Sequence, residues 1–113
     1  MALTGEGRGT VAKTLLANTF GIESRCFVCA PENAAGLRQP FYLDEDRGTV
    51  VAEFAPKVDH SGAPNYAHGG VVMAILDEAM AWAVIAIQRR FGVTERADVE
   101  FFRPVRVGIV HHV

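Results

Sequence analysis

Residues 68–88 read HGGVVMAILDEAMAWAVIAIQ, and this stretch decides the fold. From Val71 to Ile87 only Asp77 and Glu78 are polar. These seventeen residues, at about 1.5 Å each, make a helix of roughly 25 Å. A helix that is apolar all round is normally buried on most of its sides. The competing reading is a membrane span. It is disfavoured because the run is short and two adjacent acids sit at its centre, where a bilayer makes them costly. Arg89, Arg90 and Gly92 mark the helix end.

Upstream, QPFYLDEDRGTVVAEFAP (39–56) reads as a hairpin. Phe41-Tyr42-Leu43 leads into a turn at residues 44–48, Val50 to Phe54 returns, and Pro56 ends the return strand. CFVCAPENAAGL (26–37) and KVDHSGAPNYAHGG (57–70) carry the Gly, Pro and Asn of loops. Residues 11–22 place Val11, Leu15, Leu16 and Thr19 at helical spacing, with Gly21 as a stop, which predicts a short helix. The Gly-rich residues 1–10 are expected to fray. Downstream, ADVEFFRPVRVG (97–108) alternates as a strand does, with Pro104 at an edge or bulge. Residues 109–113 (IVHHV) begin another extended piece. The expected order is helix, hairpin, long buried helix, strand and the start of a strand. One apolar helix on an antiparallel sheet is an α+β arrangement.

The 113 residues allow one domain, divided here into an N-terminal segment (1–22) and a main body (23–113). A modest core at this length is helped by oligomerisation. With 50% apolar and 21% charged residues, the chain has a globular balance rather than a disordered one. A net charge of -2 argues against a nucleic-acid partner or an anionic membrane surface. Two cysteines are too few for a disulfide framework, and no apolar signal region lies in the first twenty residues. A reducing, cytoplasmic setting is expected.

Chemistry concentrates on the long helix. At His68-Gly69-Gly70 the first-turn amides lack intrahelical acceptors and carry the positive end of the helix dipole, which suits an oxyanion. The plain alternative is a close-packed helix start. Asp77 is an acid in an apolar helix, expensive unless it is paired, and such acids cluster at functional sites. Its alternative is a buried carboxylate satisfied by backbone amides or by an Arg such as Arg103. Glu78 points about 100° away from Asp77. One acid can therefore face a site while the other reaches a polar rim.

Gly69 and Asp77 lie about 12 Å apart along the helix axis. An oxyanion donor and a catalytic carboxylate both need to sit within about 3 Å of the reacting group. One subunit can hardly supply both, whereas two antiparallel copies can. If both residues are catalytic, the protein is a dimer with two equivalent interfacial sites.

Other signals are weaker. Cys26-Phe27-Val28-Cys29 is half of a zinc site or a redox pair, but no second CxxC follows, and a structural loop is the preferred reading. Thr94 either orients an acid or a water, or is a turn residue. Trp82, Met80, Phe101 and Phe102 line a pocket or fill the core. The scattered arginines serve solubility in the main, and His111 and His112 read as a chain end.

HGGVVMAILDEAMAWA, followed by TERADVEFFRPVRVG, resembles the hotdog-fold acyl-CoA thioesterases of the phenylacetate-pathway type. The resemblance runs from about residue 26 to 110. Its most specific feature is an acid nine residues after the His of His-Gly-Gly, the place of Asp77. CFVCAPENAAGL resembles the CFVCG loop of one bacterial branch, with Ala30 in place of the Gly and Ala35 in place of a frequent Pro. The resemblance implies an antiparallel sheet wrapped round a central helix and a homodimer or homotetramer with sites between subunits. It implies Asp77 as nucleophile or general base, the Gly69 amide as carbonyl-polarising donor, Thr94 as a positioning hydroxyl and His68 as support for the helix start. Gly70, Asn65, Trp82 and Arg103 fall on the substrate-binding side. Members of that family continue past the FRPV-like segment with further strands, so the resemblance also implies a C-terminally incomplete sheet.

The expected reaction is hydrolysis of acyl-CoA to acid and CoA. No metal and no cofactor are expected, since coenzyme A is part of the substrate. The alternatives are a dehydratase or hydratase of the same fold, which would need a catalytic His with an acid at another spacing, a non-catalytic acyl-CoA or acyl-carrier binding module, an inactive truncated domain, or a zinc or redox module on Cys26 and Cys29.

Overall fold

The computed structural model describes residues 12–113. The elements in chain order are β1 (Lys13–Leu15), β2 (Tyr42–Asp44), β3 (Thr49–Val51), β4 (Glu53–Phe54), a 3-10 turn (Val58–His60), α1 (Gly69–Gln88) and β5 (His111–His112). β1, β2 and β3 form an antiparallel sheet in that order, and β4 pairs antiparallel with β5. This is the α+β arrangement read from the sequence, with one helix against antiparallel strands.

The hairpin forms as expected. Tyr42 faces Val51 and Asp44 faces Thr49. Asp44 is buried at the turn, where Oδ1 accepts from the Arg47 amide at 3.1 Å and its carbonyl accepts from Gly48 at 2.8 Å. The extended chain 49–54 serves two ladders. Its first half pairs with β2, and Ala52 exchanges two backbone hydrogen bonds with Val113, at 3.1 and 2.9 Å.

Two expectations fail. Among the described residues of 11–22 there is no helix; Val11 and residues 1–10 lie outside them. Lys13–Leu15 is instead an edge strand on β2, extended by a Leu16 N–H to Phe41 carbonyl bond of 2.9 Å. A short isolated helix is marginal in water, and an open sheet edge offers the same backbone groups better partners. Asn18 then makes a turn, its side chain accepting from the Phe20 amide and donating to the Ile22 carbonyl.

The strand expected over 97–108 shrinks to a bridge between Arg106 and Tyr66. Val105 and Val107 bond to Ala67 and Asn65 through their backbones, while residues 91–100 have no regular structure. Alternation alone does not make a strand; it needs a ladder partner, and Pro104 withholds an amide.

The core joins both ladders to α1. Phe41, Ala52, Phe54, Val28, Ile75 and Trp82 pack together, and α1 lies against β3. Loop 26–37 closes over this core. The Leu37 amide reaches the Phe27 carbonyl at 2.8 Å, and the Gln39 amide reaches Val28 at 2.8 Å. Gly36 is obligatory there, because a Cβ would stand 2.4 Å from the Phe27 carbonyl oxygen.

α1 departs from the expected burial. Only Val72, Ile75 and Trp82 are buried within the chain. Met73 and Met80 are 43% and 48% exposed, so the opposite face is open. The helix is long and apolar enough to cross a membrane by length and composition, a test that core helices also pass. It ends at Arg89, which takes the left-handed position (φ 59°) expected nearer Gly92.

Ile75 is completely buried at the centre of this packing. Ile75→Ala should cost about 2–5 kcal/mol of unfolding free energy. Val58→Ala, on the exposed 3-10 turn, should change it by less than about 0.5 kcal/mol. Urea unfolding monitored by circular dichroism measures both.

Candidate functional site

α1 rotates about 100° per residue, so the buried stripe fixes where every other side chain points. Taking Ile75 as zero, Trp82 lies within about 20° of it, and Glu78 about 60° to one side. Asp77 lies about 200° away, on the open face with Met73 and Met80. The two adjacent acids therefore enter different surroundings.

Asp77 is exposed, not buried as a lone acid in an apolar helix suggests. Its Oδ1 accepts a short hydrogen bond from the Thr94 hydroxyl. Thr94 sits in the irregular segment after α1, which folds back along the helix to bring the hydroxyl seventeen positions from its acid. The partner is thus neither a backbone amide nor Arg103. Arg103 is exposed and makes no ion pair among the described residues. Thr94, Glu95 and Arg96 border an open cleft beside this pair.

His68 is the N-cap of α1, with extended backbone at φ -61° and ψ 134°. Its Nδ1 accepts from the Gly70 amide at 2.9 Å, and its own amide donates to the His60 carbonyl at 2.8 Å. In the neutral ring the proton then sits on Nε2. This capping occupies the Gly70 amide. Gly69 is the first helical residue, so its N–H has no intrahelical acceptor. A Cβ on Gly69 would touch only the Phe101 ring, at 3.6 Å. The glycine here leaves open access rather than relieving a clash.

Asn65 occupies a tight turn at φ 72°, and its carbonyl accepts from the Val107 amide at 3.0 Å. Trp82 lies in the core stripe, away from the Asp77 face. It lines a cavity of about 600 Å³ together with Leu16, Cys29, Arg38, Gln39 and Phe41. Its Nε1 is buried without a hydrogen-bond partner among the described residues. Met80, Phe101 and Phe102 do not line that cavity. Within one chain the structure therefore brings together Asp77 with Thr94, and His68 with Gly69 and Gly70. It leaves Trp82 apart from both.

Glu78 was missed as anything but the neighbour of Asp77. Its carboxylate accepts from the Cys26 thiol at 3.2 Å, and Cys29 closes the group. Burial pushes the Cys29 thiol well up, helped by hydrogen bonds to Glu78 and Cys26 and by the negative charge of Glu78. The CxxC was visible in the sequence, but nothing in its spacing from Glu78 marked the third member.

Comparison with known proteins adds to this geometry. A family model described as the thioesterase superfamily matches residues 64–111. That span contains His68, Gly69, Gly70, Asp77 and Thr94. An uncharacterized protein of Schizosaccharomyces pombe is 36% identical over 67 residues, which cover 58% of this chain and 38% of that protein. The chain thus spans well under half of this curated relative's length. No solved structure matches. The central helix on antiparallel strands, together with the match to the thioesterase-superfamily model across that helix, fits the α+β architecture of a hotdog fold.

Proposed function

We propose that this protein hydrolyses acyl-CoA thioesters to a free acid and CoA, at sites built by two copies of the chain. One observation carries the reading: Asp77, inside the thioesterase-superfamily stretch, faces outward with one carboxylate oxygen held by Thr94. The resemblance to phenylacetate-pathway-type hotdog enzymes, with an acid nine residues after the His of His-Gly-Gly, supports the acyl-CoA substrate.

Thr94 occupies Oδ1 and leaves Oδ2 available to a water. Oδ2 takes a proton from that water as its oxygen adds to the thioester carbonyl carbon. The carbonyl electron pair moves onto oxygen, which accepts a hydrogen bond from the Gly69 N–H of the other copy at the positive end of its helix. Collapse of this tetrahedral species expels the CoA sulfur, which takes the proton back from Asp77. Direct attack by the Asp77 carboxylate, followed by hydrolysis of an acyl anhydride, uses the same residues. His68 holds the helix start in shape by accepting from Gly70.

The open face of α1 supports the second copy. Met73 and Met80 on that face are exposed apolar residues, and in the segment after the helix Val93 and Phe102 are exposed as well, at 97% and 87%. A second helix laid antiparallel on that face brings its Gly69 toward Asp77, which the roughly 12 Å separation along one helix cannot do. Coenzyme A enters as part of the substrate, and no step draws on a metal or cofactor. Asn65 and Arg103 belong to the substrate side in this reading. Two free thiols are consistent with a cytoplasmic setting.

Thiol release from a panel of short, long and aromatic acyl-CoAs tests the proposal, with a no-substrate blank for Cys26 and Cys29. Asp77→Asn should lower turnover about 10²–10⁴-fold while leaving the circular dichroism unchanged. A folded wild type without turnover on any acyl-CoA points instead to a binding module. Gly69→Pro is a sharper probe. Proline is favoured at the first helical position, and the extended His68 backbone accepts a following proline. The variant should fold, lose the amide donor while adding a ring beside Phe101, and lose about 10²–10³-fold in turnover. Unchanged turnover in Gly69→Pro would remove this amide from the chemistry.

A further inference from the structure

We infer that Cys26, Cys29 and Glu78 form a binding site for one zinc-type divalent ion that ties the 26–37 loop to α1. The ligand atoms, two sulfurs and a carboxylate oxygen, all lie within 4.8 Å of one another. An ion with Zn–S bonds of about 2.3 Å and Zn–O of about 2.0 Å in tetrahedral geometry sets ligand separations near 3.5–3.8 Å. The Cys26 Sγ to Glu78 oxygen distance of 3.2 Å is within about 0.3 Å of that range, and the 4.8 Å limit on the other pairs leaves at most about 1.3 Å of side-chain adjustment to admit the ion.

Three further features favour a metal over a plain loop. The Cys29 amide donates to Cys26 Sγ at 3.3 Å, a bond that stabilises the thiolate a metal needs. Glu78 is half-buried on the core side of α1, and among the described residues only thiols partner it. A thiol is a weak donor, so the carboxylate is poorly compensated without a cation. Gly36 and the backbone bonds of residues 26–39 hold the two cysteines in place before any ion arrives. Cys29 also borders the cavity beside Trp82, from which a water can complete the shell.

Two thiolates and a carboxylate are a borderline-soft set, suited to Zn²⁺ rather than to Mg²⁺ or Ca²⁺. Binding releases the two thiol protons to solvent, and the resulting site carries a net charge of minus one. It needs no oxidant or reductant. The site lies on a different face of α1 from Asp77, so it stands or falls independently of the proposed hydrolysis.

The test is a Co²⁺ titration of the whole chain, kept reduced and stripped with a chelator. The expected result is saturation at one Co²⁺ per chain, with visible bands of tetrahedral cobalt and near-ultraviolet thiolate-to-cobalt charge transfer, both erased by Zn²⁺. Cys26→Ser should lose much of the charge-transfer intensity. Glu78→Gln should keep the charge transfer but bind at least about tenfold more weakly, since even outer-shell partners cost that much. The wild-type titration does not depend on either variant folding. Absence of charge transfer at stoichiometric Co²⁺ would overturn the site. So would equal affinity in a folded Glu78→Gln, which would leave only the cysteine pair. A Cys26–Cys29 disulfide forming readily in a chain that takes no Co²⁺ when reduced would assign the pair to redox chemistry instead.

Discussion

The burial of one narrow stripe of α1 fixes the direction of everything else on that helix. Ile75 is sealed against Phe41, Phe54 and Ala52, and Trp82 follows it two turns later. Once Ile75 faces inward, Asp77 has to face outward and Glu78 has to fall at the edge, under the 26–37 loop. A one-position change in the helix phase would put Glu78 where Asp77 now points and turn Asp77 away from both Thr94 and the thiols. The separation of one acid toward Thr94 and the other toward two thiols is thus a consequence of packing, not of either acid's own chemistry.

Much of the fold was legible because its signals are local. The 68–88 run names a helix by length and apolar content, and Tyr42 to Val51 names a hairpin by a polar, Gly-containing turn between apolar arms. The misses share one cause. Lys13–Leu15 became a strand because β2 offered an edge, and residues 97–105 stayed irregular without a ladder partner. Strand formation is decided by a partner distant in sequence, which periodicity within a segment does not reveal. The same holds for α1. Its composition suggests burial on every side, yet a single chain covers one face.

The site was legible by residue type and much less by contact. His-Gly-Gly before an apolar helix marks an N-cap, and an acid in such a helix attracts attention by its cost. The Thr94 bond to Asp77 spans an irregular segment and had no signature beyond a turn-like Thr. Glu78 was visible only as a neighbour of Asp77, and Cys26 and Cys29 only as an incomplete pair. Their meeting depends on the phase of α1 and on loop closure through Gly36, both properties of the folded chain.

The proposed hydrolysis rests on a geometric demand, that Asp77 and Gly69 reach one carbonyl although a helix holds them about 12 Å apart. Mixing two inactive variants tests that demand directly. Asp77→Ala and Gly69→Pro chains, each without turnover alone, are unfolded together, refolded and assayed. Half of the randomly formed dimers are mixed, and each mixed dimer holds one intact site and one doubly defective site. Interfacial sites therefore predict recovery to about a quarter of wild-type turnover. No recovery, with mixed dimers demonstrated by mass spectrometry, would contradict a site shared between two chains.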